Sequence, residues 1–456
     1  MAHFLLQHLS NLTPLIQSTT HSHFLILIIV IITVLHIISR RSCPIYLLDF
    51  ACYRPPNYYR LPISMFLEHT TISGEFDSKS LHFLKKILEK SGFGHDTCIP
   101  PPMNQLPINK SLASALEEAE IIIFSVVGDL LKKTQVIPKE IDILVLNSSL
   151  FSSTPSLSAM VINRFRLRSN IMSFNLSGMG CSAGIASVCL ARDLLRVHRN
   201  TVALVVSIEI LTPNWYTGKN RSMLVTNCMF RMGGVAILIS SKNQDKNKSK
   251  YMLQHLNRTN NASDDRSYGC VFQDVDLEDK VGVSLSKEIL HVAGDALRLN
   301  IASLGPTVLP LSEQIRYGWS VIRQKVGFSN RRSTVYMPNF KRAFEHLCIH
   351  AGGKAVIEAV EKKLGLSEED VEASKMTLYR FGNTSSSSIW YELCYMEAKR
   401  KVKKGDRVWQ ISFGSGFKCN SAVWICISDG QSSVENAWTD RIHLYPVHIP
   451  DMIEID

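Results

Sequence analysis

No two of the 11 cysteines form a CxxC pair, and their number is odd in a chain of 456 residues. Both facts argue against a structural zinc and against a disulfide framework. Cys189, Cys394 and Cys426 lie inside apolar runs, where a free thiol behaves as a small hydrophobe, so the pattern fits a reducing compartment. Zinc-finger spacing, a basic zipper and RNA-binding aromatic motifs are all missing, and the basic residues are scattered. Nucleic acid is therefore not an expected partner. The net charge of +10 still favours acidic partners, either phosphorylated cofactors or anionic lipid.

Apolar residues are abundant: they make up 45% of the chain against 20% charged, enough for a large core. The length implies two packed halves or two domains. Residues 24–39 (FLILIIVIITVLHIIS) form an apolar run closed by Arg40 and Arg41. As a helix it would reach about 24 Å, short of a hydrocarbon core of roughly 30 Å but within what bilayer thinning absorbs. The charges follow the run and no small-x-small cleavage site comes after it, which speaks against a signal peptide. The arginines would leave the body on the cytoplasmic side. Upstream, Leu5, Leu9, Leu12 and Ile16 recur at helical spacing interrupted by Pro14, which reads equally as an interfacial helix or a poorly ordered terminus.

Periodicity predicts helices over 112–132, 183–197, 353–364 and 385–401. It predicts strands over 141–146, 171–176, 201–208, 235–240, 376–381, 407–413 and 422–427. The prolines of 53–62 (YRPPNYYRLP) suggest an extended linker, and 243–250 (NQDKNKSK) a surface loop. Alternating strands and helices imply an α/β fold with helix-covered sheets. The expected organisation starts with a membrane anchor over 1–41 and a linker with a membrane-proximal segment over 42–110. A first half over 111–245 carries the nucleophile, a second half of similar grammar covers 246–430, and 431–456 is a tail.

Three segments carry chemistry. In 175–184 (NLSGMGCSAG) a strand enters a glycine-rich turn, and Cys181 stands where the next helix begins. A helix N-terminus favours negative charge, so the thiol pKa is expected to fall. In 344–356 (FEHLCIHAGGKAV) His346 and His350 are four residues apart. On a helix they would make a metal face, but no Glu lies between them and the Gly352–Gly353 pair argues against a long helix. The other reading places His350 on a loop facing the thiol. In 380–388 (RFGNTSSSS) Asn383 follows a predicted strand end, where its amide N–H suits an oxyanion or merely a turn. Gly414 and Gly416 in FGSGF form a further turn whose backbone N–H groups could join that of Cys181 around an oxyanion. The run KRKVKK over 399–404 reads more readily as a solvated helix end than as a CoA-phosphate site, and His291 as structural.

These segments, with PIYLLDFACYRP, NCMFRMGGVAIL, LSKEILHVAGDAL, LGPTVLPLSEQ and FGSGFKCNSAVW, resemble the plant 3-ketoacyl-CoA synthases over about 44–424. The resemblance implies a thiolase-like duplicated αβαβα layered fold behind an N-terminal membrane segment. It implies a Cys181–His350–Asn383 triad, an orienting role for His346, and substrate or oxyanion contacts at Gly414 and Gly416. Acyl-CoA and malonyl-CoA are the implied substrates, with no cofactor and no metal. The implied setting is the endoplasmic reticulum membrane with a cytosolic body, a homodimer, and other elongase-complex enzymes as partners. The implied reaction is decarboxylative condensation through an acyl-Cys intermediate. Two departures stand out: Tyr379 and Asn260 occupy positions where the family carries histidine. They motivate the alternative of a weakly active or inactive acyl-CoA-binding homologue attached to an elongase. A soluble polyketide-type synthase using the same triad is a third reading, against which the apolar run argues.

Overall fold

The computed structural model describes residues 29–30, 43–325, 336–428 and 435–452. The chain divides into two compact units, Met1–Pro44 and Ile45–Asp456. The apolar run (all but Ile29 and Val30) and the leucine spacing before it lie outside the described residues. Among the described residues no helix is long and apolar enough to cross a membrane.

The second unit is built on a nine-stranded sheet. Its strands are β1 (Tyr46–Cys52), β2 (Ile143–Asn147), β3 (Met172–Leu176), β4 (Val202–Ile208), β5 (Gly234–Ser240) and β6 (Tyr251–Asn260). A separate hairpin, β7 (Val271–Val275) and β8 (Val281–Leu285), follows. β9 (His346–Ile349), β10 (Arg407–Gly414) and β11 (Lys418–Cys426) complete the sheet in the order β3-β2-β4-β5-β1-β6-β11-β10-β9. It reads as two half-sheets of one grammar. β3, β2 and β4 run parallel, then β5 and β1 antiparallel; β9 and β10 run parallel, then β11 and β6 antiparallel. They join where Tyr46 and Leu47 pair with Met252 and Tyr251.

Residues 42–110 are corrected by β1: what reads as linker supplies the strand at the centre of the sheet. Its seven residues (YLLDFAC) are all buried, the continuous apolar signature of a strand covered on both faces. The one charge, Asp49, meets Lys250 at 2.8 Å, and Lys250 also meets Glu397 at 3.0 Å. Burial opposes charge on Lys250, but Glu397 and Asp49 together hold its ammonium above the ordinary lysine range.

Period-two alternation assigns each half-sheet two covered faces. In the first half Leu144, Leu146, Leu204, Val206, Ala236 and Leu238 pack under α1 (Leu112–Thr134). That helix starts at Ser111, whose side chain accepts from Ser114 N, and buries Ala115, Ala119, Ile122, Ile123, Val126, Val127 and Leu130. α2 (Ala183–Val197) also packs on β2 and β4, and it reaches β11 of the other half. In the second half Leu347, Ile349, Trp409, Ile411 and Val423 share a core with α3 (Ile289–Val308). α4 (Leu311–Lys325), α5 (Lys354–Leu364), α6 (Glu368–Phe381) and α7 (Ser388–Ala398) follow. α7 contacts β9 and β10 and also β1, mirroring α2.

The strand expected over 376–381 is the C-terminal part of α6. The helix begins at a capping box in which Ser367 and Asp370 exchange side-chain and backbone bonds, and three acids occupy its first turn. Met376, Leu378 and Phe381 therefore point from different sides of a helix that is buried nearly all round, and not from a pleat. The polar loop at 243–250 contains a short 3-10 turn, Asn243–Lys248. The expected tail is also corrected, because from residue 435 the chain packs on α6 and α7. Trp438 is fully buried and donates its indole N–H to Tyr391 O at 2.8 Å. Arg380 meets Asp440 through two bonds of 2.7 and 3.0 Å and stacks over Phe381 and Trp438.

Candidate active site

Cys181 follows β3 through the turn Ser177-Gly178-Met179-Gly180 and sits in the 3-10 turn Gly180–Ser182 that opens α2. Gly178 and Gly180 both have φ of +66°, a conformation that favours glycine. The hairpin turn between β10 and β11 presses on this elbow. A Cβ on Gly180 would lie 2.4 Å from Ser415 N, and one on Gly414 2.5 Å from Ser182 Oγ and 2.7 Å from Ser182 N. The two glycine turns recognised in the sequence are thus one contact, backbone against backbone.

The thiol differs from the expectation. Burial pushes Cys181 up to about 12, the Ser385 hydroxyl acts the other way, and the buried carboxyl of Glu209 adds to the rise. The helix end does not overcome desolvation here, so the resting group is a neutral thiol. Ser385 Oγ lies 3.4 Å from Cys181 Sγ and 3.3 Å from Glu209 Oε2. One hydroxyl proton can serve only one of these acceptors at a time. Glu209 also accepts from Leu150 N at 2.9 Å, Ser149 N at 3.1 Å and Ser148 Oγ at 3.3 Å.

His350 directly follows β9, with its N–H bonded to Ile411 O at 2.9 Å. Burial holds its imidazole down at about 4, so it is neutral. Nδ1 lies 2.7 Å from Ser388 Oγ. That hydroxyl can accept from Nδ1–H or donate to a bare Nδ1, so both neutral tautomers are held. Asn383 follows the C-terminus of α6 and donates through Nδ2 to Gly352 O at 3.2 Å, while its Oδ1 accepts from Ser385 N at 2.8 Å. Its backbone is pinned to Met229 O and Arg231 N at 3.2 and 2.9 Å. The serine run is fully used. Ser385 meets Cys181, Ser386 donates to Asn147 at 2.9 Å, Ser387 to Thr384 O at 2.8 Å, and Ser388 holds His350. Ser385 carries a φ of 55°, a strained value for a residue with a side chain.

Cys181, His350 and Asn383 line one cavity of about 370 Å³, together with Gly414, Ser415 and Gly416. Much of its remaining wall is apolar, with Phe230 and Phe417, the hairpin residues Val271, Phe272 and Val283, and Ile289 and Ala293 of α3, while Ser149, Glu209, Gln273 and Ser385 are its polar members. Lys418 also borders it, with Nζ bonded to Ser415 O at 2.6 Å. Such a cavity suits a long apolar chain ending at a polar reactive group.

Other predicted residues fall elsewhere. His346 and His350 lie on and beside a strand, not a helix, so four residues separate them by about 13 Å. His346 Nε2 meets Asp406 Oδ2 at 2.9 Å, and Asp406 also accepts from Lys403 N at 2.8 Å, which ties β9 to the turn before β10. His346 does not line the cavity, and neither does His291, which is exposed on α3. Among the described residues no cluster of His, Cys, Asp and Glu could hold a metal. Lys399 donates to Tyr445 O and Lys401 pairs with Glu372 at 3.1 Å, away from the cavity lining. Tyr379 packs its ring over Gly94, and the exposed Asn260 accepts from Ala262 N at 3.1 Å. Neither side chain lines the cavity. The residues that sequence reasoning missed are Glu209, Ser385 and Ser388. Glu209 did leave a signal, a lone acid inside the apolar stretch VALVVSIEIL.

The family model for FAE1/Type III polyketide synthase-like protein matches residues 37–326, and that for the 3-oxoacyl-[acyl-carrier-protein] synthase III C terminal matches 341–426. The chain is 57% identical over 405 residues to 3-ketoacyl-CoA synthase 7 of Arabidopsis thaliana, covering 89% of this chain and 87% of that protein. To probable 3-ketoacyl-CoA synthase 21 of the same plant it is 51% identical over 447 residues, covering 98% and 96%. Among solved structures, CsyB complexed with CoA-SH superposes with a TM-score of 0.64 at 19% identity, over 84% of this chain and all of that one. That likeness supports the thiolase-like α/β fold.

Proposed function

The chain belongs to the 3-ketoacyl-CoA synthase family, and on that premise we propose that it condenses malonyl-CoA with a long-chain acyl-CoA through an acyl group on Cys181. The observation that carries the reading is the convergence of Cys181, His350 and Asn383 on one apolar-walled cavity from three distant chain segments. In the first half-reaction the neutral Cys181 thiol attacks the acyl thioester as its proton passes to His350 Nε2. The tetrahedral intermediate expels CoA thiolate, which takes that proton and leaves as free CoA. Backbone N–H groups of Cys181 and of the Gly414–Gly416 turn are the proposed donors to the oxyanion.

In the second half-reaction malonyl-CoA binds with its thioester oxygen toward His350 and Asn383. Loss of carbon dioxide leaves an enolate whose charge the two donors favour over the ground state. Its carbon attacks the acyl-Cys181 carbonyl, the C–S bond breaks, and a 3-ketoacyl-CoA two carbons longer departs. The Cys181 thiolate regains a proton. Ser388 supports each step, because it holds His350 whether Nε2 acts as acceptor or as donor.

The rival, a silent acyl-CoA-binding homologue, drew its motive from Tyr379 and Asn260, and neither side chain lines the cavity. We further propose an endoplasmic reticulum membrane anchor in residues 1–41 with a cytosolic body, supported by the apolar run and by Arg40 and Arg41. A homodimer working beside other elongase enzymes completes the reading, which fits an acyl chain drawn from the bilayer. Microsomes containing the protein, supplied with radiolabelled malonyl-CoA and a panel of acyl-CoAs, should yield elongated product. Absence of product with every acceptor would leave the silent homologue standing.

A further inference from the structure

A helix that turns an apolar stripe to water needs something to cover it. In α4, Leu311, Ile315, Trp319 and Ile322 are 70%, 61%, 61% and 53% exposed. At about 100° per residue these four share a stripe about 80° wide. The stripe cannot roll inward, because Glu313 fixes the other side of the helix. It is buried and accepts from Tyr336 Oη at 2.7 Å, Asn339 N at 3.0 Å and Arg342 Nη1 at 2.9 Å. Glu313 is the only acidic residue of α4, so the exposed surface of the helix carries no negative charge. Arg316 and Arg323 border the stripe and are both exposed, Arg316 keeping an ion pair with Glu313 at 3.7 Å.

We infer that α4 lies along an anionic bilayer surface, its stripe sunk among the headgroups. The inference rests on the membrane reading above and names a second contact for it, within the folded body. Three features select lipid over a protein partner. A narrow stripe, with Tyr317 the one exposed large apolar side chain of α4 off it, matches the shallow insertion of interfacial helices, about 5–10 Å deep. Tryptophan is favoured at the boundary between headgroup and acyl chain. The arginine border, with no exposed acid on the helix, complements anionic lipid in a chain of net charge +10.

The molecule carries its own probe, since Trp319 is exposed and the other five of its six tryptophans are buried. The full-length protein is reconstituted in vesicles of phosphatidylcholine and phosphatidylserine, with plain or brominated acyl chains. The Trp319 emission is obtained by subtracting the Trp319→Phe variant. The expected result is that bromine quenches most of this component and that Ile315→Asp restores it, with catalysis in detergent unchanged. An unquenched Trp319 in protein that still floats with the vesicles overturns the inference and leaves the membrane reading intact. Protein that does not float overturns both. An unquenched Trp319 together with a change of oligomeric state in Ile315→Asp overturns it in favour of contact between copies of this chain.

Discussion

In the first half of the body the reactive atom is placed by backbone. Gly178 and Gly180 bend the chain, α2 starts at once, and the Gly414 turn rests directly on the Ser182 amide. In the second half the reactive groups are placed by side-chain bonds. Ser388 holds His350, and Asn383 is strung between Gly352 O and Ser385 N. A nucleophile must be aimed but also left free to carry an acyl group, and a backbone elbow does that while the sulfur accepts one long bond, from the Ser385 hydroxyl at 3.4 Å. Donors for an enolate must be fixed in direction before the charge forms, and hydrogen bonds to their far sides do that. The half-sheets share a grammar, but their sites are stabilised by different forces.

The largest separation of the halves is expected from Asn383→Ala. It removes a donor used only in the second half-reaction, so condensation should fall about 10²–10³-fold. Acyl transfer to Cys181 should survive, read as covalently bound radiolabel from acyl-CoA. Equal loss of both steps would contradict the division. Gly414→Ala attacks the other half. The added methyl would meet Ser182 N at 2.7 Å and Ser182 Oγ at 2.5 Å. Displacing the elbow should slow acylation itself, by roughly 10²-fold if the sulfur moves by about 1 Å, measured as the rate of radiolabel capture.

His350 gives an effect of comparable size, on stability and not on rate, with a definite sign. Folded, it stays neutral down to about pH 4, whereas the unfolded chain protonates it near 6.5. Between those values the unfolded state binds more protons, so stability is full above about pH 6.5 and falls toward pH 4, by roughly 3 kcal/mol. Denaturant titrations should show that loss in the wild type relative to His350→Asn. Parallel curves for the two proteins would mean that His350 is not buried neutral. The smallest effect is expected from Tyr379→His and Asn260→His, whose side chains lie off the cavity. Condensation rates should stay within about twofold of the wild type, and a larger gain would mean that these positions reach the site in the working enzyme.

Much of the frame was legible in the sequence, because strands buried on both faces and capped amphipathic helices leave strong local signals. α2 spans the predicted 183–197. The error at 376–381 was one of period. Residues 376–381 read as a strand, although the Ser367–Asp370 box upstream announced a helix. The tail was misread in a similar way, since Trp438 and Tyr445 are residues that chains seldom leave in water. Within the site, glycine turns and element ends singled out Cys181, His350 and Asn383, and the family resemblance joined them as a triad. The bonds from Ser385 to Glu209 and from Ser388 to His350 join residues far apart in the chain. No local pattern marks such pairs. The direction of the thiol shift was missed for the same reason, because desolvation comes from the packing of distant segments onto the elbow.

The most direct test of the account is intact-protein mass measurement after mixing with a long-chain acyl-CoA, then again after adding malonyl-CoA. Condensation through an acyl-Cys181 intermediate predicts a mass increase of one acyl group located on Cys181, its disappearance with malonyl-CoA as the elongated 3-ketoacyl-CoA is released, and neither event in Cys181→Ala. An acyl group that never forms on Cys181, or that forms and is not consumed by malonyl-CoA, would contradict it.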